Sequence, residues 1–191
     1  DPSDPEILHR YRQMLYFVCG LKEALRGSEQ LQALEPFVPL YNYVTAGIIA
    51  ANGQNRTAIA ILEAMPTNFP TNIRNLMLAR YYAAEGRYAE SAGTLLAIRD
   101  ERFASRESIE AAAHLIRTAP SATGSPGSLP ALPRLLDFVY AYVGARERMF
   151  EGQERELQVG NIAGLDRIWD LDFAPLRKTE RFKAFLHARG L

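Results

Sequence analysis

The stretch Leu78–Tyr88, which reads LARYYAAEGRY, contains the end of one helical pattern, a glycine and the start of another. Its small and apolar residues recur at spacings of three and four, the period of an α-helix. Gly86 follows the last of them, at the position where glycine commonly ends a helix. The stretch therefore predicts two helices joined by a tight turn.

The same pattern occurs 33 residues earlier in the chain, where Gly53 takes the place of Gly86. At this offset four residues superpose on four others: Ala46, Ile49, Gly53 and Leu62 on Ala79, Tyr82, Gly86 and Leu95. Repetition with this period is typical of stacked helical hairpins, in which a small residue lets the paired helices approach. We predict repeats at 39–70 and 72–103, a degenerate unit at 131–160 and a further one at 15–25.

Helical periodicity extends over the rest of the chain, and no alternating pattern long enough for a strand occurs. The pattern predicts helices at 5–25, 40–52, 56–65, 72–85, 88–99, 105–118, 133–151 and 179–188. Four residues stand where N-terminal caps are expected: Asn55, Thr71, Ser105 and Thr179. We therefore expect a single all-α domain over 1–191, a right-handed stack of antiparallel helical hairpins with a C-terminal capping helix at 179–188.

A long connection interrupts this pattern at residues 119–133, which contain four prolines and three serines. Proline removes backbone donors and restricts the chain, so neither neighbouring helix can extend far into the segment. We expect a projecting loop whose part from Ser121 to Ser128 is mobile, with a cover over the binding surface as the alternative.

The composition excludes several classes of protein. The 191 residues contain 22 Lys and Arg against 22 Asp and Glu, so no net field favours nucleic acid or an anionic membrane. Apolar runs fall well short of the ~20 residues that a membrane-spanning helix needs. The single cysteine, Cys19, excludes an internal disulfide and fits a reducing compartment. We expect a cytoplasmic chain without a membrane partner, and its oligomeric state is left open.

The repeated residues resemble those of the tetratricopeptide repeat family, whose units are two antiparallel helices with a small–aromatic–glycine–alanine–proline signature at this spacing. Pro70 closes the first unit. Asn42 and Asn75 stand where that family often has tryptophan, and Ser91 replaces the alanine that Ala58 supplies one repeat earlier. The resemblance implies a scaffold that binds proteins.

The ending at residues 168–186 also resembles the tail of repeat regions attached to bacterial winged-helix regulators and class III nucleotide cyclases. This resemblance implies that the chain is the C-terminal docking or sensory region of a longer bacterial signalling protein or transcriptional regulator. The DNA-binding or cyclase part would then lie outside this chain.

Residues that could carry catalysis are scattered along the sequence. His9, His114 and His187 are more than 70 residues apart and show no metal-ligand spacing. Cys19 lies in an apolar helical pattern and is interpreted as a core residue. Asp170 and Asp172 are interpreted as capping groups, with an acid/base couple in an all-α enzyme as the alternative. We expect no enzyme activity, no cofactor and no metal site.

The C-terminal tail carries a local excess of positive charge, which we interpret as a solvated helix near the negative end of its dipole. A phosphate-binding patch is the alternative, and nucleic acid is an unfavoured partner for this chain. The cations of the tail are Arg177, Lys178, Arg181, Lys183 and Arg189.

The binding surface is expected on the first helix of each hairpin, which lines a concave face in stacks of this kind. The residues predicted to face this groove are Tyr43, Gly47, Ala50, Leu76, Met77, Arg80 and Ala83. An aromatic ring, an arginine and a methionine among small residues would suit an extended peptide or a helix of a protein partner. The open alternative is that these residues pack against the N-terminal helix.

Overall fold

The computed structural model describes residues 4–18, 20–66, 71–119, 129–158 and 171–188. Over these residues the chain is helical and contains no strand, which confirms the all-α prediction. The same ranges include no helix with the length and apolar character needed to cross a bilayer. The α-helices are α1 (Pro5–Phe17), α2 (Leu21–Leu34), α3 (Pro39–Ala51), α4 (Asn55–Glu63), α5 (Thr71–Ala84), α6 (Tyr88–Leu96), α7 (Arg106–Thr118), α8 (Arg146–Gln158) and α9 (Glu180–His187). Short 3-10 helices lie at Asp137–Ala141, Leu171–Phe173 and Leu176–Lys178.

Helices α1 to α7 pack in chain order, each against the next. In addition, α1 contacts α3 and α3 contacts α5, so these three alternate helices form one layer. Helix α7 contacts the 3-10 helix 137–141, which in turn packs against α8. This order places hairpins α1–α2, α3–α4 and α5–α6 side by side, and the right-handed path of the stack stays a prediction, as do the repeat boundaries.

Two hairpins, α3–α4 and α5–α6, place residues 33 positions apart in matching surroundings. Gly53 and Gly86 have φ values of 82° and 73°, a backbone conformation that glycine adopts without strain. Ala46 and Ala79 are both fully buried. Ser91 is also fully buried, and its hydroxyl donates to the carbonyl oxygen of Ala79 at 2.7 Å, which satisfies a polar group at an otherwise apolar position.

The single helix predicted at 5–25 is wrong, because the chain folds there into the hairpin of α1 and α2. The amide of Gly20 donates to the carbonyl oxygen of Leu15 at 2.7 Å. A Cβ on Gly20 would lie 3.1 Å from the Leu15 side chain, so the turn needs a residue without one. The apolar period continues through the turn, and the sequence pattern therefore hides the break.

The helix predicted at 133–151 is also wrong. The chain forms the 3-10 helix 137–141, turns at Gly144 with φ at 75°, and begins α8 only at Arg146. Pro130 to Pro133 are irregular, and the hydroxyl of Tyr140 donates to the carbonyl oxygen of Pro130 at 2.6 Å. The segment expected to be mobile, Ser121–Ser128, lies outside the described residues.

The predicted caps are half right. Ser105 accepts a hydrogen bond from the amide of Ser108, and Thr179 accepts one from the amide of Phe182, so both cap their helices. Asn55 is instead the first residue of α4. The N-cap position is taken by Gln54, and the Asn55 side chain is buried. Thr71 is likewise the first residue of α5.

Two apolar clusters form the core. The smaller one joins α3, α4 and α5, and the larger one runs from α5 to α9. At the C-terminal end, Phe150 of α8 packs against Phe182 and Phe185 of α9, with ring centroids 5.9 and 5.2 Å away. Aromatic packing of this kind attaches α9 to the body of the protein.

Candidate functional site: a groove between α3 and α5

A concave pocket lies where α3 passes α5. It is shallow, with a cavity volume of about 10 Å³, and is lined by Gly47, Ala50, Ala51, Arg80, Tyr81, Ala84 and Asp172. Four of the seven lining residues are glycine or alanine, so little side-chain volume enters the groove from them. A Cβ added at Gly47 would meet the Met77 methyl at 3.8 Å and the Tyr81 hydroxyl at 3.9 Å, which are ordinary contacts.

Arg80 and Asp172 form the polar part of this groove. The Arg80 Nη2 donates to Asp172 Oδ2 at 2.7 Å, and its Nε donates to the same oxygen at 3.2 Å. The two side chains are 13% and 3% exposed, so the charges are largely withdrawn from water. A pair at this depth depends on both partners, because either charge alone would be desolvated without compensation.

Tyr142 completes the cluster. Its hydroxyl donates to Asp172 Oδ1 at 2.9 Å, so each carboxylate oxygen accepts from a different donor group. Burial raises the pKa of Tyr142 well above its usual range, and the Asp172 charge and hydrogen bond raise the pKa further. The phenol therefore remains a donor at physiological pH. This arrangement is suited to holding a carboxylate.

The structure corrects the interpretation of Asp172 as a capping group, because its carboxylate binds Arg80 and Tyr142. Its predicted companion, Asp170, lies outside the described residues. The alternative of an acid/base couple between the two therefore stays a prediction.

The predicted groove residues separate into two sets. Gly47, Ala50 and Arg80 line the pocket together. Tyr43 and Met77 are half-buried against the smaller core cluster beside it. Leu76 and Ala83 instead belong to the larger core cluster, because α5 has neighbours on both sides and these residues face the far one.

Sequence reasoning missed Ala51, Tyr81, Ala84 and Tyr142 as parts of this site. Tyr81 and Ala84 follow Met77 and Arg80 at helical spacing, so the periodicity of α5 contained the signal for them. Tyr142 and Asp172 come from distant parts of the chain, and no local pattern pairs them with Arg80.

A second buried polar cluster joins the first three helices around Arg12. The guanidinium is fully buried and donates to the Ser28 hydroxyl at 3.0 Å, to the Tyr41 carbonyl oxygen at 2.9 Å and to the Thr45 hydroxyl. Burial lowers the pKa of Arg12 to about 10. Because these partners belong to α2 and α3, the cluster ties α1 to both neighbours.

His9 belongs to the same cluster, and its Nδ1 accepts from Arg12 Nη2 at 3.1 Å. The pKa of His9 is lowered, first by burial and then by the Arg12 charge, with the Glu6 charge acting in the opposite direction. The ring is therefore held in its neutral form, packed against the Tyr41 ring with centroids 4.8 Å apart.

The cations of the C-terminal tail are partly occupied by carboxylates. Arg181 is paired with Glu147 and Glu154 of α8, and Lys183 with Glu180 at 2.6 Å. Arg189 lies outside the described residues. These pairings reduce the charge that the tail offers to a phosphate.

A larger cavity, with a volume of about 200 Å³, lies beside α8. Its charged lining is balanced, with three arginines and three carboxylates: Arg134, Arg148, Arg155, Asp137, Glu151 and Glu156. Across the described ranges, no group of three or more His, Cys, Asp or Glu side chains is placed to hold a metal ion.

Comparison with family models, with curated proteins and with solved structures finds no match to this chain.

Proposed function

We propose that this chain is a protein-interaction module that binds a segment of a protein partner in the groove between α3 and α5. One observation carries the proposal: the chain's own Asp172 already docks on Arg80 at this place. A carboxylate from a partner would meet the same two donors, Arg80 and Tyr142.

The shape of the groove supports an extended or helical segment as the ligand. Gly47, Ala50 and Ala84 present little more than Cβ atoms, so a peptide backbone can approach closely. Half-buried Tyr43 and Met77 beside the pocket supply adaptable apolar contact. We infer that the bound segment carries an Asp or Glu side chain with an apolar residue next to it.

The cellular role that fits this module is the docking or sensory region of a longer regulator, as the resemblance to regulator-associated repeat regions implies. A cytoplasmic location goes with that role and with the single cysteine. The paired state of Arg181 and Lys183 makes a nucleic-acid contact through the tail the weaker candidate.

The test uses a displayed library of random twelve-residue peptides, selected on the whole chain. Gly47→Leu fills the groove while leaving the Arg80–Asp172 pair in place. Gly93→Leu is the matched control, because Gly93 is a helical glycine of α6 with nothing within 4 Å of an added Cβ.

Selected peptides are expected to contain an acidic residue, to lose at least tenfold in affinity for the Gly47→Leu chain and to keep their affinity for the Gly93→Leu chain. Thermal melts by circular dichroism establish that both variants are folded. Peptides that bind all three chains equally, or no enrichment on the wild type, would contradict the proposal.

A further inference from the structure

Exposed apolar side chains are concentrated at one end of the molecule. Among the described residues, all eight large apolar side chains that are exposed fall within residues 7–40: Ile7, Tyr11, Met14, Phe17, Val18, Leu34, Phe37 and Leu40. From residue 41 onward, the large apolar side chains whose burial is described are buried or half-buried. Exposed apolar side chains that lie together on a folded protein mark an interaction surface.

Four of these residues form one stripe on α1. Ile7, Tyr11, Met14 and Val18 recur at spacings of four, three and four, so they lie along one face of the helix and its C-terminal cap. They are between 53% and 67% exposed. The opposite face of α1 carries Leu8, His9 and Arg12, which are buried.

The position of α1 in the stack explains why this face lacks a neighbour. Helix α3 packs against α1, α2, α4 and α5, whereas the main contacts of α1 among the described helices are with α2 and α3. The outermost helix of a helical stack needs a polar outer face to remain in water. The outer face of α1 carries this apolar stripe, with the exposed Glu6–Arg10 pair beside it.

We propose that a second copy of this chain covers the stripe, with the two α1 helices antiparallel about a two-fold axis. An axis between residues 12 and 13 places Ile7 opposite Val18 of the other copy and Tyr11 opposite Met14. Every residue of the stripe then meets an apolar residue of the same stripe, which is the self-complementarity that a two-fold interface requires.

The size and charge of the surface fit this occupant. A stable interface takes ~800 Å² from each partner. Large aromatic side chains bury ~150–250 Å² each, and the half-exposed stripe, Phe17 on the same helix and the 89% exposed Phe37 together expose apolar area on the order of that value. The chain has 22 basic and 22 acidic residues, so two copies do not repel each other at long range.

The first test is sedimentation velocity of the whole chain from 1 to 200 µM, a range set to bracket a micromolar Kd. The wild type is expected to be a dimer at the upper end of this range. Met14→Lys places one positive charge from each copy in the interface and is expected to raise the dimer Kd at least 100-fold. Ala60→Lys, on the exposed face of α4, is the matched control and is expected to leave the Kd unchanged.

The second test determines how the two α1 helices of the dimer are aligned. In a Cys19→Ser background, Tyr11→Cys chains mixed with Met14→Cys chains are expected to form a mixed disulfide in preference to either homodisulfide. A parallel pair would favour the Tyr11→Cys homodisulfide and overturn the proposed geometry. A wild type that is monomeric at 200 µM, or a dimer that Met14→Lys leaves intact, would overturn self-association and assign the stripe to another occupant.

Discussion

Arg80 and Asp172 are separated by 92 positions in the sequence, and their charged groups meet at 2.7 Å. This contact joins α5, in the middle of the stack, to the 3-10 helix Leu171–Phe173 near the C-terminus. It therefore has two roles, since it holds the C-terminal segment against the stack and fills the polar part of the groove.

Because the Arg80–Asp172 pair holds the C-terminal segment against the stack, breaking it is expected to lower the free energy of unfolding by a large amount. Arg80→Met leaves a buried carboxylate without its cation, and the free energy of unfolding is expected to fall by about 3–5 kcal/mol. The measurement is urea denaturation at pH 7. Arg56→Met is the matched control, because Arg56 is 91% exposed in its pair with Glu85, and its cost is expected to stay below about 1 kcal/mol. Equal costs for the two variants would contradict the buried role of Arg80.

Tyr142→Phe removes the second donor to Asp172 without changing the size of the ring. A hydrogen bond to a charged acceptor contributes about 1.5–3 kcal/mol, so we expect a loss of stability in this range. The Arg80→Met/Tyr142→Phe double variant is expected to lose less than the sum of the single losses, because both donors act on one carboxylate. Strict additivity in urea denaturation would show that the two contacts are independent.

His9 predicts a pH dependence of stability. Its pKa is lowered in the folded state, so the unfolded chain takes up the proton first as the pH falls through the ordinary value near 6.5. The contribution of neutral His9 to the free energy of unfolding is therefore fully present above a pH of about 6.5. Below that pH it declines by up to about 1.4 kcal/mol per pH unit, until the pH reaches the lowered pKa. Other groups also titrate, so the comparison is made with a variant.

His9→Gln is expected to flatten the stability difference between pH 7.5 and pH 5.5, because the amide oxygen can accept from Arg12 without taking a proton. His114→Gln, at an exposed position on α7, is the control and should retain the wild-type slope. The reverse result, a slope lost with His114 and kept with His9, would contradict the buried cluster.

The two tight turns predict equal penalties for a side chain. Gly53→Ala and Gly86→Ala force alanine into positive φ, where nothing lies within 4 Å of the new Cβ, so the cost is backbone strain alone, about 1–2 kcal/mol each. Gly93→Ala, inside α6, is expected to stabilise the protein by up to about 1 kcal/mol. Thermal unfolding of the three variants checks the signs, and a large difference between the two turns would contradict their equivalence.

Helix positions that depend on the local apolar period, and turns that depend on glycine, could be predicted from the sequence. Helices α3 to α7 lie near their predicted positions, because the apolar period and the turns at Gly53 and Gly86 agree. The helix predicted at 5–25 ran through the break at Gly20, although a repeat unit was predicted at 15–25, since the apolar period continues through the break and the need for glycine there arises from a contact with Leu15.

The residues of the site also divide into those that local periodicity predicts and those that it does not. Gly47, Ala50 and Arg80 follow from helix periodicity and were predicted. Asp172 and Tyr142 reach Arg80 only through the packing of distant segments, and Leu76 and Ala83 are buried because α6 and α7 complete the core on their side of α5. Such long-range contacts have no signature in the spacing of residues along one helix.

The central claim, that the groove accepts a carboxylate from a partner in place of Asp172, is tested most directly by isothermal titration of an acidic peptide selected on the wild type. Asp172→Asn removes the competing charge from Arg80 while keeping the shape of the side chain. The account predicts that this variant binds the peptide at least tenfold more tightly than the wild type does. Unchanged or weaker binding by Asp172→Asn would contradict it.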